Sequence, residues 1–111
     1  MKIFVYGSLK RGFSNHILLE ELGAKFIGKA IVQGFTLHDL VYYPAAVMTD
    51  NDSKISGEVY EIEDISMLDH LEDYPEMYDR MQVITQYGWV WIYYQDAPNG
   101  RIIPNGAWLE K

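Results

Sequence analysis

The sequence predicts an α+β fold, a small mixed or antiparallel β-barrel with two short helices on its flank. Three observations carry this. Most segments are short runs of β-branched and aromatic residues separated by turn residues. Helical spacing of apolar residues occurs at only two separate places, near residues 15–22 and 65–71. The strand–helix alternation that builds a parallel sheet is absent. A chain of 111 residues is sized for one hydrophobic centre, so residues 1–111 read as a single domain.

The elements follow in order. Lys2-Ile3-Phe4-Val5-Tyr6 reads as a buried first strand that empties at Gly7 into a loop reaching Asn15. Ser14 or Asn15 is placed to cap a short helix that Gly23 stops. Residues 25–40 form two strands, or one bent strand, divided at Gly34. Tyr42-Tyr43-Pro44 imposes an extended turn before a short strand at Ala45-Ala46-Val47-Met48, and Asp50-Asn51-Asp52 marks the next turn. Residues 55–62 make a strand containing Gly57. Ile65, Leu68 and Leu71 then give the clearest helix, capped by Asp64 or Ser66 and ended by Tyr74-Pro75. Residues 81–85 and 89–94 flank Tyr87-Gly88 as a hairpin, and a turn over 96–100 leads to a last segment at Ile102-Ile103. In the hairpin's second strand Trp89, Trp91 and Tyr93 face one way and Val90, Ile92 and Tyr94 the other, which predicts cover on both sides.

Composition narrows function. Apolar residues make up 49% of the chain and aromatic ones 14%, enough burial for a folded domain. Sixteen acidic against nine basic residues give a net charge of -7, which repels nucleic acid and anionic lipid, and the basic residues form no stripe. We expect neither as a partner. Cysteine is absent, which excludes disulfides, thiolate metal sites and a cysteine nucleophile. Without a hydrophobic run of signal-peptide or membrane-spanning length, a cytoplasmic protein is expected. His16, His38 and His70 lack the local spacing of metal ligands, so no metal is expected.

Two segments hold candidate chemistry. Gly7-Ser8-Leu9-Lys10-Arg11-Gly12 lacks the spacing of a phosphate loop, and Lys10 stands where a serine-nucleophile elbow needs glycine. A strand emptying into such a loop nonetheless presents backbone N–H groups to a carboxylate or oxyanion; the plainer account is a loop with tight turns. The second segment, residues 68–80, crowds carboxylates among aromatics. Glu72 falls in the last helical turn, where the helix dipole, Asp73 and shielding tyrosines would raise its pKa towards neutrality and suit it to take and return a proton. The plainer account is a solvated helix face, to which Asp69, Asp73 and Glu76 are assigned; Tyr78 and Arg80 have plain readings as edge packing and a surface ion pair.

Taken together, Val5-Tyr6-Gly7-Ser8-Leu9-Lys10-Arg11-Gly12 and Leu68-Asp69-His70-Leu71-Glu72-Asp73-Tyr74-Pro75, with Tyr78 and Arg80, resemble the gamma-glutamylcyclotransferase family, including its AIG2-like members. Gly34-Phe35-Thr36-Leu37, Tyr43-Pro44-Ala45 and Gly57-Glu58-Val59-Tyr60 extend the likeness in order along nearly the whole chain. The resemblance implies a pocket between the Tyr6-Gly7-Ser8-Leu9 loop and the glutamate-bearing helix. It implies a cofactor-free reaction in which the α-amino group of a small gamma-glutamyl amine or amide attacks its own side-chain carbonyl, leaving 5-oxoproline and a free amine. Glu72 would be base and then acid, and N–H groups of Gly7, Ser8 and Leu9 would hold a carboxylate or oxyanion. Tyr6 and Tyr78 would line the pocket, Tyr78 through a hydroxyl bond to substrate or Glu72, and Arg80 would brace its wall. Asp73 departs from the family, which commonly has glycine there. The alternative is a non-catalytic metabolite-binding module using the same pocket; the sequence sets neither the leaving amine nor the oligomeric state.

Overall fold

Eight strands and two short helices alternate irregularly along the chain in a computed structural model that describes residues 1–96 and 98–110. They are β1 (Lys2–Val5), α1 (His16–Glu21), β2 (Lys25–Gln33), β3 (Phe35–Asp39), β4 (Pro44–Met48), β5 (Lys54–Glu61), α2 (Ser66–Leu71), β6 (Asp79–Thr85), β7 (Gly88–Tyr94) and β8 (Arg101–Ile103). The α+β class and the two helices agree with the sequence. Gly34 adopts a left-handed φ of 92° and sends β2 and β3 to different neighbours, β5 and β4. Residue 97, within the turn expected over 96–100, lies outside the described residues.

The strand order β2-β5-β1-β7-β4-β3-β8, with β6 on β7, is mixed. β6 pairs antiparallel with β7 along its length, from Asp79↔Tyr94 to Thr85↔Gly88. The opposite edge of β7 is shared: β1 meets it in parallel at Ile3↔Trp91 and β4 at Ala46↔Tyr94. Two strands leaving one edge must part, and the parting opens beside the end of β1.

The expected barrel needs correction, because the curled sheet does not close. β2 approaches β6, but no ladder joins them among the described residues. A side chain spans the gap instead: the Tyr87 hydroxyl donates to the Lys29 carbonyl at 3.1 Å, and its ring end occupies the space a Cβ on Gly28 would need. Backbone pairing there would have to displace that ring.

Alternation along β1 divides two cores. Phe4 and Tyr6 point into the curl with Val59, Val90, Ile92 and Trp108. Ile3 and Val5 point out, under the helices, with Leu19, Leu68, Tyr78 and Tyr93. The cover expected on both faces of β7 fails at one end, since Trp89 is 62% exposed and only Tyr93 of that face is fully buried.

Neither helix uses the expected side-chain N-cap. Asn15 turns back to Ser8, while Asp64 accepts from the Ser66 N–H at 2.9 Å. Both C-termini close in the same way. In α1 the N–H groups of Gly23 and Ala24 donate to Glu20 and Leu19, with Gly23 at φ 70°. In α2 those of Asp73 and Tyr74 donate to His70 and Asp69, with Asp73 at φ 52°. This double bond pattern requires a left-handed residue just past the helix, usually glycine. α2 therefore stops at Leu71, before the proline predicted to end it. The residue commonly glycine in the resembled family sits at that left-handed position. Asp73→Gly is expected to stabilise the protein by about 0.5 kcal/mol, raising Tm by roughly 2–4 °C in a thermal melt.

Candidate active site

Where β1 and β4 part, a cavity of about 210 Å³ enters the molecule. Tyr6, Gly7, Ser8 and Leu9 form one wall, and Leu71, Glu72, Met77 and Tyr78 another. Tyr43, Pro44 and Tyr93 complete it. The fold thus brings the two candidate segments, sixty residues apart in the sequence, to one hollow.

Glu72 occupies the C-cap of α2, where the turn described above fixes its backbone. Its side chain is partly buried and makes no hydrogen bond or ion pair among the described residues. Burial pushes its carboxyl up to about 7. The cause is desolvation and not the Asp73 charge, since the Asp73 side chain is exposed. A carboxyl group of that kind is divided between acid and base at neutral pH.

The surrounding tyrosines are already committed. The Tyr6 hydroxyl donates to the Tyr93 carbonyl at 2.7 Å and accepts from the Ala46 N–H at 3.1 Å, tying β7 to β4 where β1 leaves them. Tyr78 donates to the Pro44 carbonyl at 2.7 Å, so the expected bond to Glu72 is corrected: the hydroxyl ties two lining residues of the cavity together. Tyr93 donates to Asp69 Oδ1 at 2.7 Å. Burial raises the pKa of all three hydroxyls, with the Glu72 charge adding to it, so they stay protonated walls.

Arg80 does not line the cavity. Its guanidinium is held 4.5 Å from both the Tyr74 and Trp91 ring centres, and Nε lies 2.9 Å from Asp69 Oδ1, an ionic contact whose N–H is not aligned as a hydrogen bond. Asp69 thereby links Arg80 to Tyr93, behind the wall. Assigning Asp69 to a solvated face missed this, because helical position does not show what a strand brings against it.

On the loop side, the N–H groups of Gly7, Ser8 and Leu9 donate to nothing among the described residues, while the Gly7 and Ser8 carbonyls accept from Lys10 and Asn15. Free donors beside a cavity suit an anionic group. The loop is pinned by Glu58, only 8% exposed, whose Oε1 accepts from the Arg11 N–H at 2.8 Å and the Tyr60 hydroxyl at 3.0 Å. Arg11 Nε adds a longer contact to Oε2 at 3.4 Å. Sequence reasoning missed Glu58 as well; the available signal was a carboxylate in the middle of a strand, between Gly57 and Val59.

Gly7 is explained by proximity and not by a left-handed turn. A Cβ there would come 2.9 Å from Pro44 Cγ, tighter than side-chain atoms accept. Gly7→Ala is therefore expected to shift Pro44 and the cavity mouth, costing about 1–2 kcal/mol. Chemical denaturation measures that loss, and ligand affinity should fall further than stability alone explains.

No cluster of three or more metal-ligating side chains occurs among the described residues. No helix there is long and apolar enough to cross a membrane.

Known proteins resemble the chain in sequence and fold. A family model described as Gamma-glutamyl cyclotransferase, AIG2-like, matches residues 3–110. The chain is 34% identical to the Gamma-glutamylcyclotransferase family protein YtfP of Escherichia coli K12 over 115 aligned positions, spanning 100% of this chain and 98% of that one. The fold matches an uncharacterized Pyrococcus horikoshii protein with a TM-score of 0.78 at 30% identity, over 96% of this chain and 88% of that one. A mouse AIG2-like protein superposes with a TM-score of 0.74 at 29% identity, over 85% of this chain and 76% of its own. Since the family match runs through both cavity walls and nearly end to end, the chain belongs to the gamma-glutamyl cyclotransferase, AIG2-like family.

Proposed function

We propose that the protein is a gamma-glutamyl cyclotransferase that converts a small gamma-glutamyl amine or amide to 5-oxoproline and a free amine, with Glu72 moving the protons. One observation carries this: an unpartnered, partly buried carboxyl group titrating near neutrality shares a cavity with three unengaged backbone N–H groups.

The substrate's α-ammonium lies against Glu72 and its α-carboxylate, or the developing oxyanion, against the N–H groups of Gly7, Ser8 and Leu9. Ionised Glu72 takes a proton from the ammonium. The amine nitrogen then attacks the γ-carbonyl carbon, a C–N bond closes the five-membered ring, and the side-chain amide C–N bond breaks. Glu72 returns that proton to the departing nitrogen, which leaves as a neutral amine, and the regenerated carboxylate takes the ring nitrogen's remaining extra proton and passes it to solvent, leaving the neutral lactam N–H of 5-oxoproline. Nucleophile and electrophile belong to one molecule, so holding the ring-forming conformer is itself a large part of the acceleration. Tyr6 and Tyr78 act through the walls they fix, and Arg80 through Asp69 and Tyr93.

Incubating the protein with gamma-glutamyl amines, amides and dipeptides and assaying 5-oxoproline tests the proposal. Product is expected with the wild-type protein and not with Glu72→Gln. Product formation unaffected by that substitution excludes the mechanism, and saturable binding with no product across the panel establishes the non-catalytic alternative.

A further inference from the structure

We infer that Asp69 and Arg80 are positioning residues for Glu72. Asp69 fastens the end of α2 to β7, so that Glu72 stays on the cavity wall, and Arg80 cancels the charge that Asp69 brings close to it. The inference rests on the proton-moving role proposed for Glu72 above and adds the pair that serves it.

α2 has little else to hold it. Its six residues are too few for a helix to persist unaided, and of its apolar side chains only Leu68 is buried, while Met67 and Leu71 are 50% and 41% exposed. Asp69 supplies a polar tie. Among the described residues it is the side chain of α2 that hydrogen-bonds to the sheet, its Oδ1 accepting from the Tyr93 hydroxyl at 2.7 Å. Its carbonyl accepts from the Tyr74 N–H at 2.9 Å, one of the two bonds that close the turn around Glu72. Tyr93 in turn lines the cavity, and its own carbonyl accepts from the Tyr6 hydroxyl. One residue therefore sets the helix end against the strands that wall the hollow.

That tie brings a second carboxylate near Glu72. Residues three apart on a helix are neighbours, so an unpaired Asp69 would oppose ionisation of Glu72. Arg80 removes the opposition. Its Nε lies 2.9 Å from Asp69 Oδ1, with the Arg80 and Asp69 side chains 19% and 20% exposed, and the Tyr74 and Trp91 ring centres each stand 4.5 Å from the guanidinium. Opposite charges that close present a dipole to Glu72, whose field fades faster than that of either charge alone. Burial accounts for the raised Glu72 carboxyl, and neither Asp69 nor Arg80 adds to it. The other groups around Glu72 do not stand in for the pair. Tyr6, Tyr43, Tyr78 and Tyr93 bring hydroxyls from the strands and loops, while His70, Asp73, Glu76 and Asp79 are exposed.

Charge-changing variants test the pair, read by carbon NMR titration of the Glu72 carboxyl in ligand-free protein and by the pH profile of kcat/KM for 5-oxoproline release. Arg80→Met leaves Asp69 unpaired and should move the Glu72 midpoint up by about 0.5–1 pH unit. Asp69→Asn leaves Arg80 unpaired and should move it down by a similar amount, while its amide oxygen still accepts from Tyr93. The double variant should return to the wild-type midpoint. Asp69→Ala removes the tie itself, so kcat should fall about ten- to a hundredfold, with Asp69→Asn recovering it to within about threefold at its own pH plateau. A merely structural pair would not shift the midpoint in opposite directions in the two single charge variants. Midpoints that coincide in wild type, Arg80→Met and Asp69→Asn, or an Asp69→Ala protein as active as Asp69→Asn, overturn the inference. If Asp69→Ala does not fold, the midpoints of the other three variants decide. Absence of 5-oxoproline with the wild-type protein overturns the cyclisation, and the NMR midpoints, which need no substrate, still read the pair.

Discussion

Glu72→Gln is expected to lower kcat/KM by about 10²–10⁴-fold while making the protein more stable at neutral and alkaline pH. The two effects share one cause. Burial holds the Glu72 carboxyl at about 7 in the folded chain against 4.5 when unperturbed. Between those values the folded state keeps a proton that the unfolded state has released, so stability declines as pH rises from about 4.5 to about 7 and stays reduced above that. A neutral amide of the same shape removes the penalty, a gain of about 2 kcal/mol above pH 7, or roughly 10 °C in Tm. Below pH 4.5 both proteins are uncharged at this position and the melting curves should converge. Wild-type kcat/KM should fall as pH drops through about 7, because the base must be ionised to accept the ammonium proton. Melting temperatures that coincide at pH 8 would show that Glu72 is solvated, and the catalytic assignment would fail with them.

The sequence disclosed this carboxyl group for reasons that survive in part. Leu68 and Leu71 at helical spacing, with Tyr74-Pro75 beyond, put Glu72 at a helix end among aromatics, and the structure places it there. Of the three causes expected for its raised pKa, shielding is the one that acts: burial by walls that include Tyr6, Tyr78 and Tyr93 raises it, without the helix end or Asp73. Strands were legible because β-branched and aromatic runs report their own conformation. Pairing was not, since nothing in residues 25–33 tells that Tyr87 will fill the seam that a closing ladder needs. Hydrogen-bond partners were the least legible. Tyr78 reads as edge packing or as a partner of substrate or Glu72 until β4 brings the Pro44 carbonyl to it, and Asn15 reads as a cap until the loop folds Ser8 against it. Each of these contacts joins segments whose proximity is set by the whole sheet.

That dependence on distant strands gives Glu58 the second large effect. Glu58→Ala is expected to cost about 2–3 kcal/mol, because the Arg11 N–H and the buried Tyr60 hydroxyl both lose their acceptor. Tm should fall by roughly 10 °C or more. Glu58 touches no part of the cavity, so its influence on the reaction passes through the loop it pins, making it a positioning residue. With the Arg11 end of the loop released, the Gly7-Ser8-Leu9 backbone is no longer held in place, and KM should rise several-fold while the kcat pH profile, set by Glu72, keeps its midpoint. Glu58→Gln retains an oxygen acceptor for the Arg11 N–H and should recover most of the KM. Destabilisation alone moves neither KM in the folded fraction nor its rescue by glutamine, so steady-state kinetics below the melting range separates the two roles. An alanine variant with wild-type KM would mean the loop keeps its shape without the carboxylate, and the donors would then owe their arrangement to the Lys10-to-Gly7 and Asn15-to-Ser8 backbone bonds alone.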